Sequence, residues 1–571
     1  MTSKIALDTV FTNVRIVDVA SLKIFEGWIG VLGGKFIYVE EGEFPSSDFV
    51  VKQISEGNGR YVIPGFVDSH MHIESSLLIP ERFEEAVLPC GTTTILNDPH
   101  EVANVSGVRG VKWFIHQTSF LNLRVYHAIP SCVPASSPEL EWTAHTFGES
   151  EVKELIGSDN VIALGEVMDY RRVLAGDKTL KAMVDTALNH GLRVEGHIPT
   201  LSGSELSRYI SWGITSDHTL MTPDRIRERI RRGVYVMLQM KSLTEENIEA
   251  VMSLKDRSAI LLVTDDVEPS MLDEGHLSSV VRGAVEKGMP LLEAIASASV
   301  RPARYLGLRN FGLIAPGYQA DFLIMDDLAN FKPSEVYIGG KLVARNGTCL
   351  GEFTKRDFSH FPTALLPELS IEDFALKTED FSKCRDGGFG FYAVTVENDE
   401  NSLTSLERIC VRFKDGFPAF GENSDLAFVG VFARNGRSKS LGFIKNLGLR
   451  DGAYASTFQH DSHNLLVLGR SVEDMVVAAR AVREMGGGIV VVRNRDVIAR
   501  LPLAVMGILS DSDYRAVSRN LAAVEKSLKL LGIRHKRPFL FLSVLCLSVS
   551  PYFKFSDRGI IDTEKRALVG R

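Results

Sequence analysis

The chain lacks closely spaced cysteine pairs, long apolar runs and an excess of positive charge. Six cysteines are scattered over 571 residues with no Cys-x-x-Cys pair, which argues against a disulfide framework and a thiolate metal site. The longest apolar run, residues 538–549, is too short to cross a bilayer and predicts a buried strand. The N-terminus has no apolar core long enough for a secretory signal. We therefore expect a cytoplasmic protein.

The composition excludes other classes. A formal net charge of -8 gives no reason to expect a nucleic acid or an anionic membrane as partner. The hydrophobic share of 45% and the charged share of 24% are ordinary for a globular protein, and the length indicates more than one domain.

Three regions with different sequence patterns follow one another along the chain. Short strands with glycine turns fill residues 1–63 and return in 311–360, which predicts one small flanking β domain built from both segments. Residues 64–310 alternate apolar strands with helices. Residues 365–571 predict a C-terminal α/β domain, with strand-rich stretches at 453–469 and 485–492.

The strands predicted in the middle segment have the number and spacing expected of a TIM barrel. Its strand-like stretches end near residues 70, 98, 130, 166, 197, 218, 239 and 266. Helical patterns lie between several of them, and one has Thr222 as its N-cap and Gly233 at its C-terminal end. Eight such units over ~250 residues predict a (β/α)8 barrel. A doubly wound open sheet is the alternative.

Metal-ligand residue types recur at these strand ends, where TIM barrels carry their functional side chains. A lone histidine is more often a packed or surface residue than a ligand. Here five of the eight strand ends carry a ligand-type residue, which favours a metal centre. The predicted ligands are His70, His72, Glu166, His197, His218 and Asp265.

Four imidazoles and two carboxylates are too many for one tetrahedral zinc ion. They suit two divalent ions that share a bridging ligand, and Glu166 is the natural bridge because a carboxylate has two oxygens. Nitrogen and oxygen donors without thiolate favour Mn²⁺, Fe²⁺ or Zn²⁺. Such a centre activates water, and Asp265 could both bind a metal and accept a proton. The spacing therefore predicts a metal-dependent hydrolase.

Several motifs resemble those of the adenine deaminase family within the amidohydrolase superfamily. They run nearly end to end: HMHIESSLLIPERFEEAVLPCGTTTILNDPHEVANVSG, GEVMDY, TDD, EGH, GLIAPGYQADF, QHDSHNLLVLG, GGGIVVV and LPLAVMGILS. The resemblance implies hydrolysis of adenine to hypoxanthine and ammonia, with manganese or iron at the barrel mouth. The sequence departs from the family pattern at three strand ends, namely Thr219, Gln239 and Val267.

Other polar residues follow the first two strands. Glu74 and Glu101 are candidates for protonating a ring nitrogen, and His100, at the same mouth, is a candidate for general acid catalysis or ring recognition. Their alternative roles are a helix-capping loop for Glu74 and a hydrogen-bond network for the other two. A second group, in the C-terminal region, has either a structural role or that of a lid over the site. It comprises His460, Asp461 and His463.

The expected substrate is a nucleobase. Hydrolysis of a different aminopurine or of a cyclic amide is the nearest alternative, and a non-catalytic binding protein with a degenerate site is the alternative of another class. We expect further copies of the same chain as partners, and neither a nucleic acid nor a membrane.

Overall fold

The computed structural model describes residues 4–351, 358, 366–377, 381–385, 387–421 and 423–569. The predicted boundary at residues 360–365 lies outside them. The first strands form antiparallel hairpins, as the glycine turns predict, and the fourth and fifth strands run parallel to the first. They are β1 (Ile5–Asp18), β2 (Lys23–Leu32), β3 (Lys35–Glu41), β4 (Phe49–Glu56) and β5 (Tyr61–Pro64).

Parallel strands follow, and their ends coincide with the predicted positions. They are β6 (Phe66–His72), β7 (Thr92–Asn97), β8 (Arg124–Ile129), β9 (Val161–Val167), β10 (Arg193–Gly196), β11 (Ser216–Asp217), β12 (Tyr235–Leu238), β13 (Ile260–Leu262) and β14 (Asp265–Asp266). One sheet has the order β10-β9-β8-β7-β6-β14 and another the order β11-β12-β13. The two sheets meet where Thr215 N donates to Val194 O at 3.0 Å. The strands therefore form a TIM-like parallel barrel.

Helices connect these strands and cover them. They are α1 (Pro80–Val87), α2 (His100–Thr118), α3 (Glu149–Leu155), α4 (Tyr170–Ala175), α5 (Lys178–Asn189), α6 (Gly203–Ile210), α7 (Pro223–Arg231), α8 (Glu245–Met252), α9 (Leu277–Glu286), α10 (Leu291–Ser297) and α11 (Val300–Tyr305). The Thr222 side chain caps α7 by accepting from Arg225 N, as predicted.

The chain then returns to its first sheet with β15 (Phe322–Met325), β16 (Glu335–Ile338), β17 (Lys341–Arg345) and β18 (Thr348–Cys349). β15 pairs antiparallel with β5, so strands from both sides of the barrel segment share one sheet. Leu323, Met325 and Phe331 also enter the main apolar core, which attaches this sheet to the barrel.

The C-terminal region is a mixed sheet with helices packed on it. Its elements are β19 (Phe389–Val396), β20 (Thr404–Lys414), β21 (Phe417–Ala419), β22 (Leu426–Phe432), β23 (Lys439–Lys445), β24 (Ala453–Ser456), β25 (Leu465–Gly469), α12 (Val472–Glu484), β26 (Gly488–Arg493), β27 (Asp496–Pro502), α13 (Tyr514–Leu530), α14 (Pro538–Ser543), β28 (Phe553–Ser556), β29 (Gly559–Asp562) and β30 (Ala567–Leu568). Phe83 of the barrel and Phe539 of this region belong to the same apolar core.

The strand predicted for residues 538–549 is wrong, because the run begins with α14. Pro538 occupies the first helical turn, where its fixed φ suits a helix and its missing N–H costs nothing. A short apolar run has no periodicity that separates a buried helix from a buried strand. Among the described residues, no helix combines the length and apolar character needed to span a membrane.

One disulfide bond joins Cys384 to Cys410, which are far apart in the sequence. Cys410 lies on β20, opposite Gly390 of β19, and Cys384 precedes that strand. The strand pairing therefore brings the two thiols together, which the spacing along the sequence did not indicate.

Candidate metal centre

The six predicted ligands lie at one end of the barrel. His70 and His72 are on β6, Glu166 is on β9, and Asp265 opens β14. The remaining two, His197 and His218, directly follow β10 and β11. The carboxyl ends of parallel strands meet at one rim, so residues up to about 200 positions apart become neighbours.

Glu166 stands at the middle of the cluster. Its Oε1 lies 3.5 Å from His72 Nε2. Its Oε2 lies 2.8 Å from His197 Nδ1 and 3.2 Å from His218 Nε2. Each carboxylate oxygen therefore faces a different set of imidazoles, which is the arrangement that a bridging ligand requires.

Asp265 completes the set on the Oε1 side. Its Oδ1 lies 3.5 Å from His72 Nε2 and 3.7 Å from His70 Nε2. Asp265 has a φ of 61°, a left-handed conformation uncommon outside glycine and typical of functional positions. Donor atoms around one ion with bonds of ~2.1 Å lie ~3 to 4 Å apart, so these spacings fit a divalent metal.

The hydrogen-bonding state of the imidazoles also fits a metal. His72 Nδ1 donates to the carbonyl oxygen of Asp98 at 3.0 Å, which leaves the Nε2 lone pair directed at the carboxylates. The buried Nε2 of His70 has no hydrogen-bond partner. A cation between lone pairs and carboxylates would satisfy all of them.

Electrostatics keep both carboxylates ionised. Burial by itself would raise the pKa of Glu166, but the imidazoles of His218 and His197 outweigh it and hold that pKa well below its usual range. Burial opposes ionisation of Asp265 too. The imidazoles of His218, His70 and His72 nevertheless hold its pKa well below the usual value.

Two further residues hold the ligands in place, and the sequence had not assigned this role to either of them. Gln239 Nε2 donates to Asp265 Oδ2 at 2.8 Å and to the carbonyl of His218 at 2.7 Å. Asp98 Oδ2 accepts from the backbone N–H of Glu166 at 2.9 Å. The positions of both residues in the sequence indicated such a role, since each immediately follows a barrel strand.

The other two departures from the family pattern have different surroundings. The Thr219 hydroxyl donates to Asp217 Oδ1 at 2.7 Å, and Asp217 in turn pairs with the fully buried Arg229 at 2.9 Å. Val267 packs in the main apolar core. Of the three departures, Gln239 is the one that contacts a predicted metal ligand.

Glu74 lies in a buried 3-10 turn, Ile73–Ser76, directly after the β6 histidines. Its Oε2 is buried and has no hydrogen-bond partner. Burial raises the pKa of Glu74 to about 7, although His100 opposes the shift. The turn does not cap α1 with a side chain, because Ile79 is the N-cap of that helix.

His100 and Glu101 open α2, and both are buried. The ring of His100 lies 4.6 Å from that of His72, measured between centroids. Both oxygens of Glu101 are engaged by the C-terminal region, one by His460 Nδ1 and one by His463 Nε2. These histidines therefore reach the barrel mouth.

Some solved structures are similar to part of the chain. N-acetyl-D-glucosamine-6-phosphate deacetylase from Mycobacterium smegmatis has a TM-score of 0.46 at 17% identity, covering 59% of this chain and 100% of its own. An adenosine deaminase from Xanthomonas campestris with bound zinc has a TM-score of 0.44 at 14% identity, covering 62% and 96%.

Sequence comparisons match both the barrel segment and the C-terminal region. A model of the amidohydrolase family matches residues 61–343, and a model of the adenine deaminase C-terminal domain matches residues 401–567. A curated adenine deaminase of Clostridium perfringens is 34% identical over 99% of this chain and 99% of its own length. The chain belongs to the adenine deaminase family.

A second member of the family, from Methanothermobacter thermautotrophicus, is 36% identical over 90% of this chain and 93% of its own length. Such full-length similarity includes the C-terminal region as well as the barrel. It accords with the motifs found in both parts of the sequence.

Proposed function

We propose that this chain is a metal-dependent hydrolase that converts adenine to hypoxanthine and ammonia. The observation that carries the hydrolytic part is Glu166, whose two oxygens face separate sets of imidazoles. The full-length similarity to proteins named adenine deaminase supports adenine as the substrate. No contact in the site favours a cyclic amide, another aminopurine or a non-catalytic role.

Two divalent ions fit the donor set, and we propose Mn²⁺, with Fe²⁺ or Zn²⁺ as the other candidates. When bound, they supply a water activated for attack at neutral pH. One ion would be held by His70, His72, Asp265 and Glu166, and the other by Glu166, His197 and His218.

Asp265 is the proposed proton acceptor. Gln239 fixes Oδ2 of its carboxylate while Oδ1 faces the imidazoles. The residue would take a proton from the attacking water and deliver it to the departing amine at C6 of the purine. Water and the C6–N bond are consumed, and a C6 carbonyl and ammonia are formed.

Glu74 is the proposed donor of a proton to a ring nitrogen, which prevents negative charge from building up on the ring. Its Oε2 is buried without a hydrogen-bond partner, and the residue lies in the turn that directly follows the ligands of β6. Glu101 was predicted for the same role, but both its oxygens are occupied, so the geometry favours Glu74. Catalytic roles for His100 and Glu101 stay predictions.

We extend the proposal to the architecture and setting. The parallel strands would close as a complete (β/α)8 barrel over 64–310, with the β domain of 1–63 and 311–360 and the C-terminal domain of 365–571 around it. Domain boundaries, homo-oligomerisation and a cytoplasmic location stay predictions.

Ammonia release from the manganese-loaded protein tests the function. Adenine and a panel of aminopurines are the substrates, and Asp265→Asn is the matched control for background release. We expect the wild type to release ammonia from adenine at least roughly 10² times faster than the variant. Turnover of another compound with no ammonia from adenine would refute adenine as the substrate and leave the metal hydrolase standing.

A further inference from the structure

A second group of metal-ligand side chains lies beside the centre described above, between α2 and residues 459–463. Glu101 lies at its middle, in contact with His460 and His463. His463 Nδ1 accepts from the backbone N–H of Gln459 at 3.2 Å, so its Nε2 carries the proton donated to Glu101. Both ring nitrogens of His463 are thus hydrogen-bonded, one as an acceptor and one as a donor, as a neutral imidazole allows.

His100 and Asp461 are not satisfied in that way, and His460 Nδ1 is hydrogen-bonded to Glu101 alone. His100 Nε2 lies 3.6 Å from Glu101 Oε1 and 3.9 Å from Asp461 Oδ1. His460 Nδ1 also lies 3.9 Å from Asp461 Oδ1 and contacts Glu101 Oε1. Nitrogen and oxygen atoms therefore alternate around a closed ring of four donors.

Burial makes this arrangement costly without a cation. Asp461 is 2% exposed, Glu101 is fully buried, and Asp461 Oδ2 has no hydrogen-bond partner. The distances of 3.6 and 3.9 Å exceed the hydrogen-bond range but suit donors that share one ion. A carboxylate taken out of water needs a partner of opposite charge close by.

We propose that His100, Glu101, Asp461 and His460 bind a third divalent cation, separate from the two at Glu166. Two carboxylates and one dication sum to zero charge while both imidazoles stay neutral. Imidazole and carboxylate donors without thiolate suit Mn²⁺, Fe²⁺ or Zn²⁺. The ion would tie the start of α2 to the segment before β25, and so the barrel to the C-terminal region.

The same residues could instead neutralise the carboxylates by protonation of His100 and His460. That arrangement needs no metal, so the two possibilities differ in metal content. The proposal does not depend on the substrate. Metal content and ammonia release therefore test the two proposals independently.

Elemental analysis after chelation and reconstitution with Mn²⁺ distinguishes a bound third ion from protonated histidines. We expect about three ions per chain in the wild type and about two in Asp461→Asn and in His460→Ala. His116→Ala, which removes an exposed imidazole on the far part of α2, is the control and should keep about three. Equal metal content in the wild type and in Asp461→Asn would overturn the proposal, whatever the number of ions held at Glu166.

A measurement on the unaltered chain covers the case in which the variants do not fold. Crystals of the wild type grown with Mn²⁺ should show an anomalous peak between His100 Nε2 and Asp461 Oδ1, in addition to peaks beside Glu166. Peaks beside Glu166 without one at Asp461 would refute the third site while leaving the first two in place.

Discussion

Replacement of Gln239 by leucine should slow the enzyme strongly without unfolding it. The change keeps a side chain of similar volume but removes the amide that donates to Asp265 Oδ2 at 2.8 Å. A hydrogen bond to a charged group contributes ~1.5–3 kcal/mol. Since ~1.4 kcal/mol corresponds to a tenfold change in rate, we expect kcat/KM for adenine to fall about 10- to 100-fold.

The physical reason is the orientation of Asp265. Without Gln239, the cation nearest its Oδ2 is Lys241, whose Nζ is 3.9 Å away and whose side chain is 56% exposed. The carboxylate then rotates, and its proton transfer is no longer aligned. Gln239→Arg supplies a charged donor to the same oxygen, so this variant should keep at least wild-type kcat/KM.

Asn247→Leu is the matched control. Asn247 is also a buried amide, and its Nδ2 donates to the carbonyls of Met221 and Ser242 at 3.1 and 2.8 Å without touching a predicted ligand. Its loss should lower the thermal midpoint and leave kcat nearly unchanged. Wild-type kcat/KM in Gln239→Leu, measured by ammonia release at full metal loading, would refute the role of Gln239.

Three further changes test other parts of the structure. His197→Ala should lower the number of bound metal ions in elemental analysis, and unchanged content would contradict its assignment as a ligand. Asp265→Asn should reduce kcat by roughly 10² or more while some metal remains, because it removes the proton acceptor; near-normal kcat would assign the transfer elsewhere. Lys554 is buried with its ammonium on the Ser402 carbonyl at 2.8 Å, and burial lowers its pKa to about 7. The unfolded chain therefore binds more protons above pH 7, so wild-type stability should rise from pH 7 to 9 more than that of Lys554→Met in urea unfolding; equal rises in both would contradict the shifted pKa.

The strand ends, and with them the predicted ligands, could be derived from the sequence. Each barrel strand is a short apolar run followed by a polar residue, and the carboxyl ends of parallel strands converge by geometry alone. That is why His70, Glu166 and Asp265 could be grouped before any distance was known. The return of residues 322–345 to the first sheet followed from the same alternation of strands and glycine turns.

Tertiary structure alone decided what surrounds the ligands. The helix at residues 538–543 replaced a predicted strand, because a short apolar run is compatible with either and packing selects between them. The contact of Glu101 with His460 joins residues 359 positions apart, and no local periodicity encodes it. The orientation of Asp265 by Gln239 likewise depends on how two neighbouring strand ends approach each other. Local patterns report which face of an element is buried, whereas the partners of a buried polar group are fixed only when separate elements pack together.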